Sequence, residues 1–151
     1  MWSDDQRTRI VLEHHALQRE GFDQFSVYQD RSYDTYWASG IQATSSGGRY
    51  KFHIPIPSGY PSQRPQLYVT EPHPLRAYDG RLVSSFGISH EMHTLSPDSN
   101  GYVQICHWRD GRWHAGIMLH QVFLKGIIWI EAYEQHLATG QPISEFVREM
   151  T

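Results

Sequence analysis

The 151-residue chain has one cysteine, Cys106, inside "GYVQICHW" at 101–108, with His107 directly after it. A thiolate is a nucleophile near neutral pH, a good leaving group and a soft metal ligand. Acyl transfer, Cys-His hydrolysis and zinc binding are therefore all open at this position, beside the plainer role of a small buried hydrophobe. Histidine is abundant, with 10 in the chain, including "HEMH" at 90–93 and His114. His90 and His93 could share one face of a helix and Cys106 could add a thiolate. The pattern is not His-Glu-x-x-His, however, and the Gly, Ser, Pro and Asp around it favour a loop. A Cys-His hydrolase would need an oxyanion-hole glycine motif and a third member to orient its base, and the sequence offers neither.

Periodic segments must position these residues. Ser3 followed by Gln6 has the spacing of a capping box. Ile10, His14 and Leu17, with Val11 beside them, recur at helical spacing, so a helix is expected from about Asp4 to Glu20, with Gly21 at its end. The period then changes to two. "FDQFSVYQ", "YWASGIQAT", "RYKFHIPI" and "PQLYVTE" read as four strands in sequence order, an antiparallel meander that needs a helix or a second sheet on one face. The stretch from Glu71 to Gly101 is irregular, and long irregular segments in compact domains are usually functional or mobile. "YVQIC" is short and β-like. The apolar "HAGIMLHQVFLKGIIWIEAYEQHLATG" suits a central helix closed by Gly140, and "ISEFVREM" a short final one. The order is α+β.

Composition narrows the partners. At 39% hydrophobic and 13% aromatic, a compact fold is expected, as one domain over 1–151. The net charge is -3 and no basic run stands out, which argues against nucleic acid. "GIIWI" at 126–130 is far too short for a membrane span, so no membrane is expected. A lone cysteine cannot form an internal disulfide, and no basic-then-apolar leader opens the chain; both point to a reducing, cytoplasmic location. No cofactor and no metal is expected. Of the 13 basic residues only Lys51 and Lys125 are lysines, which would suit a carrier of activated acyl groups but equally reflects a plain arginine bias.

The order of elements and several landmarks resemble the ubiquitin-conjugating enzyme family. "YKFHIPIPSGYPSQRPQLYV" at 50–69 is similar to its third strand, Tyr-Pro turn (Tyr60-Pro61) and proline-led fourth strand (Pro65). "NGYVQIC" at 100–106 resembles the Gly-x-Ile-Cys approach to its active-site cysteine. Trp113 and "IMLHQVFL" match its tryptophan and following helix. The resemblance implies that Cys106 carries the C-terminus of a ubiquitin-like protein as a thioester. The chain would receive it from an activating enzyme and pass it to an amine on a target protein.

There are departures. Where the family has His-Pro-Asn, this chain has "MHTL", with His93 at the histidine and Leu95 at the asparagine credited with oxyanion stabilisation. His107, His93 and Asn100 are the candidate substitutes, with Asp98 or a histidine as proton acceptor. These departures and "WIEAYEQHLATG" at 129–140 resemble divergent bacterial members found in antiviral operons. A catalytically inactive variant that only binds ubiquitin-like proteins is the alternative, although such variants usually lack the cysteine. By analogy, an N-terminal helix with Arg7, Arg9 and Glu13 exposed would dock the activating enzyme. The back of the sheet around Tyr28, Tyr36 and Trp37 could take a second copy or a ubiquitin-like protein, although those aromatics would serve equally as core.

Overall fold

The computed structural model describes residues 1–147. Helix α1 (Asp4–Arg19) begins at the expected capping box: the Gln6 N–H donates to Ser3 Oγ at 3.1 Å and the Ser3 N–H to Gln6 Oε1 at 2.9 Å. Asp4 and Asp5 in its first turn complement the helix dipole. Its amide does a second job, since Gln6 Nε2 donates to the carbonyls of Ser58 and Tyr60 at 2.7 and 2.9 Å.

The meander follows as β1 (Phe25–Asp30), β2 (Thr35–Ala43), β3 (Arg49–Pro55) and β4 (Leu67–Glu71). It is part of a larger sheet. Two short strands, β5 (Thr94–Leu95) and β6 (Val103–Ile105), extend it to six in the order β1-β2-β3-β4-β6-β5. β6 runs antiparallel to β4, with Leu67 opposite Ile105, and covers what would otherwise be an unpaired edge. The β-like "YVQIC" therefore belongs to the sheet itself.

Helix α2 (Leu119–Thr139) crosses the inner face and ends at Gly140, in the left-handed conformation at φ 76°. Phe25, Phe52, Leu67 and Ile105 meet Val122, Phe123, Trp129 and Ile130 in one buried cluster. The rings of Phe25 and Phe123 stack with centroids 3.9 Å apart. The approach is close because position 126 is glycine: a Cβ there would lie 3.0 Å from Leu67 and 3.2 Å from Phe52.

The irregular stretch after Glu71 is tied to this core. Leu75, Ala77, Val83 and Met92 are buried, Tyr133 donates its hydroxyl to the Arg76 carbonyl at 2.6 Å, and the Trp129 indole donates to Met92 at 3.0 Å. Of the expected final helix, Ile143–Glu145 form a single 3-10 turn, and 148–150 lie outside the described residues.

Two surface expectations are corrected. Glu13 is completely buried: its carboxylate accepts from Arg9 Nε at 2.9 Å, from the Leu119 N–H at 3.0 Å and from the Tyr60 hydroxyl. Arg9 is held with it, donating to the carbonyls of Ala115 and Ile117, so of the three only Arg7 is substantially exposed. Helical spacing offers Arg9 as a counterion, but Tyr60 and Leu119, the two further donors that make burial of the carboxylate tolerable, come from distant chain. Tyr36 also leaves the outer face. Alternation sends it inward, edge-on to Trp2 at 5.3 Å, while Tyr28 and Trp37 stack outside at 5.7 Å.

Candidate active site

Cys106 follows the last residue of β6, half-buried, where the sheet gives way to a loop. Its N–H donates to the His93 carbonyl at 3.1 Å, continuing the β5–β6 pairing by one residue and fixing the start of that loop. Burial raises the thiol above its ordinary value. Three charges act against that shift, Arg64, Arg109 and Lys125, and all are cations.

These cations come from separate parts of the chain. Arg64 precedes β4 and donates to the Trp108 carbonyl at 3.2 Å. Arg109 is exposed in the loop after the cysteine. Lys125 rises from α2, with its ammonium 4.4 Å from the centre of the Trp108 ring. Arg64, Trp108, Arg109 and Lys125 were all missed as site residues in the sequence. The only signal was the scarcity of lysine, which makes Lys125 one of two.

The candidates inferred from sequence are placed unequally. His93 is beside Cys106 through the backbone. It is buried at φ 56°, and its Nε2 has no hydrogen-bond partner. Burial, followed by His90, Lys125 and Arg109, lowers its pKa, so the ring is neutral near neutral pH. His107 is 1% exposed; its Nε2 bonds the Pro65 carbonyl at 2.7 Å and its ring stands edge-on to Trp113. Its ring is thus committed to the proline-rich turn, although it is the cysteine's neighbour in sequence. Trp113 donates to the Pro61 carbonyl at 2.9 Å. Thus the proline-rich turn supplies two carbonyls that hold the loop on the far side of the cysteine.

Asn100 lies beyond the other end of β6, a three-residue strand that itself spans roughly 10 Å. Its N–H and that of Tyr102 donate to Asp98 Oδ1 at 3.0 and 2.9 Å, closing a turn that leads into the strand. Asp98 and Asn100 line a separate hollow of about 440 Å³ with Lys51, His53 and Tyr68. The structure therefore groups His93 with Cys106 and sets Asn100 and Asp98 apart. His90 is exposed, and among the described residues no group of three or more His, Cys, Asp or Glu is arranged to hold a metal ion. Among the same residues no helix is long and apolar enough to cross a membrane.

The chain has a distant structural likeness to human ubiquitin-conjugating enzyme E2 G1. The TM-score is 0.45 at 19% sequence identity, covering 78% of this chain and 88% of that chain. No family model and no curated protein sequence matches it.

Chemically, the arrangement offers a reachable sulfur in a basic rim. The thiol is mostly protonated at rest because burial outweighs the cations. A negative charge developing on sulfur would nonetheless meet only positive neighbours among the charges that act on it.

Proposed function

We propose that the chain is a ubiquitin-conjugating-type acyl carrier, with Cys106 as the residue that bears the acyl group. The observation that carries this reading is the cysteine's placement: half-buried just after the end of a sheet strand, anchored through its own N–H, and rimmed by Arg64, Arg109 and Lys125. The resemblance of residues 50–69 and 100–113 to the conjugating family supports it independently.

In the first step the Cys106 thiolate attacks the C-terminal carbonyl of a ubiquitin-like protein activated by an activating enzyme. The C–S bond forms and the activating group departs with its electron pair. In the second, an amine on a target attacks the thioester carbonyl; collapse of the tetrahedral oxyanion expels Cys106 as thiolate, and the amine's proton passes to a base. His93, neutral and with Nε2 uncommitted, is the candidate acceptor. His107 serves by holding the loop to Pro65. The one domain spans 1–151, works in the cytoplasm, and by its resemblance to divergent bacterial members acts in antiphage defence.

Cys106→Ser tests this reading. An oxyester resists aminolysis far better than a thioester, so in the native host the variant should accumulate a heavier species stable to reductant and cleaved by alkali. An unmodified serine, together with an unmodified wild-type cysteine under infection, would favour the binding-only alternative.

A further inference from the structure

Lys125 is six residues into α2, a helix whose inner face is committed to the core, yet its side chain turns toward the loop after β6. Its ammonium lies over the indole of Trp108, two residues beyond the cysteine. The Trp108 carbonyl is held in turn by Arg64. One residue is thus gripped by cations from two elements far apart in sequence, and the grip keeps both charges near Cys106. Leu95, at the position where the resemblance would place an asparagine, cannot donate a hydrogen bond from its side chain.

We propose that Lys125, held over the face of Trp108, is the positioning residue that supplies positive charge to the Cys106 sulfur. The sulfur is anionic twice in the reaction, as nucleophile when it is charged and as leaving group when it is discharged, and a fixed cation favours both. The role rests on Cys106 being the carrier, but the charge itself can be tested without any partner protein. The other charges acting on the thiol are also cations, Arg64 before β4 and Arg109 in the loop, while His93 touches Cys106 through its backbone carbonyl. Removing Lys125 should therefore weaken the effect without abolishing it.

The experiment is a thiolate titration of the purified chain, by ultraviolet absorbance and by the iodoacetamide alkylation rate across pH. Lys125→Met should move the midpoint upward and slow alkylation at neutral pH by roughly threefold, because the smaller thiolate fraction is partly offset by a more nucleophilic sulfur. Lys125→Arg should keep most of the wild-type rate. Trp108→Leu, which retains the charge but removes the ring that holds it, should show a smaller loss in the same direction. Lys51→Met, at the other lysine, on the outer face of the sheet, should change nothing. Lys125→Met is expected to fold, since methionine is a good helix former; Lys125→Gln repeats the test with a polar side chain. Wild-type profiles in both Lys125→Met and Lys125→Gln would overturn the proposal. The carrier reading fails separately: a shifted midpoint in a chain that is never acylated would remove that reading and leave the charge assignment intact.

Discussion

Glu13→Ala should be among the most destabilising single substitutions in the chain, although Glu13 lies on a helix that reads as solvent-exposed. Its carboxylate is completely buried and takes three donors: Arg9 Nε, the Tyr60 hydroxyl and the first N–H of α2, at Leu119. Alanine removes all three acceptors at once. It leaves a hydroxyl and a helix N-terminal N–H unpaired in the interior, and a guanidinium only 19% exposed without its counterion. Breaking a buried pair from one side costs about 3–5 kcal/mol. For a domain of this size, each kcal/mol lowers Tm by roughly 2–4 °C, so a drop of about 6–20 °C is expected. The assay is urea unfolding followed by the five tryptophans, with the m-value compared between variants. Glu13→Gln, which keeps an acceptor oxygen, should fall between the two. The double variant Glu13→Ala with Arg9→Met should lose less than the sum of the single losses, because the charge left alone in each single variant is gone. A loss below about 1 kcal/mol in Glu13→Ala would refute the reasoning, since that is the scale of exposed ion pairs. The consequence reaches the site. Glu13 joins α1, the Tyr60 turn and the start of α2, and that turn supplies the Pro61 carbonyl that holds Trp113.

Other outcomes follow from the same geometry. Burial raises the phenols of Tyr50, Tyr60, Tyr68 and Tyr133, with Glu134 and Glu13 adding to the effect at Tyr50 and Tyr60. Unfolded tyrosines ionise near pH 10, so above that pH the unfolded chain holds fewer protons than the folded one and stability falls. Tyr50 and Tyr60 should show tyrosinate absorbance only as the chain unfolds, with Tyr68 and Tyr133 also delayed; nine reversible titrations near pH 10 in the folded state would contradict this. Gly126→Val should cost about 1–3 kcal/mol in urea unfolding by overpacking Leu67 and Phe52, and an unchanged midpoint would show that α2 does not pack that closely. Asn100→Ala should leave the alkylation rate of Cys106 and its acylation at wild-type levels, whereas a tenfold loss would return Asn100 to the chemistry.

Local signals were legible in the sequence wherever structure depends on neighbours. The Ser3–Gln6 box, the four alternating strands and the Gly140 stop all form as their patterns predict. Cys106 was legible as a candidate because it is the only cysteine and follows a β-like run. What surrounds it was not. Arg64 and Lys125 lie on either side of Cys106 in sequence and reach it only because β4 pairs with β6 and α2 crosses beneath them. The same limit hid the burial of Glu13, two of whose three partners are 47 and 106 residues away. The bond of His107 to Pro65, 42 residues away, was hidden in the same way.

The most direct test of Cys106 as an acyl carrier is the intact mass of the wild-type chain taken from its native host under acid quench, before and after reductant. The expected result is a heavier species that collapses to the free mass on reduction, with peptide mapping that places the lost acyl group on Cys106 and names the C-terminus it came from. A chain that stays at its free mass across growth and stress conditions of its host, or an adduct mapped to any other residue, would contradict it.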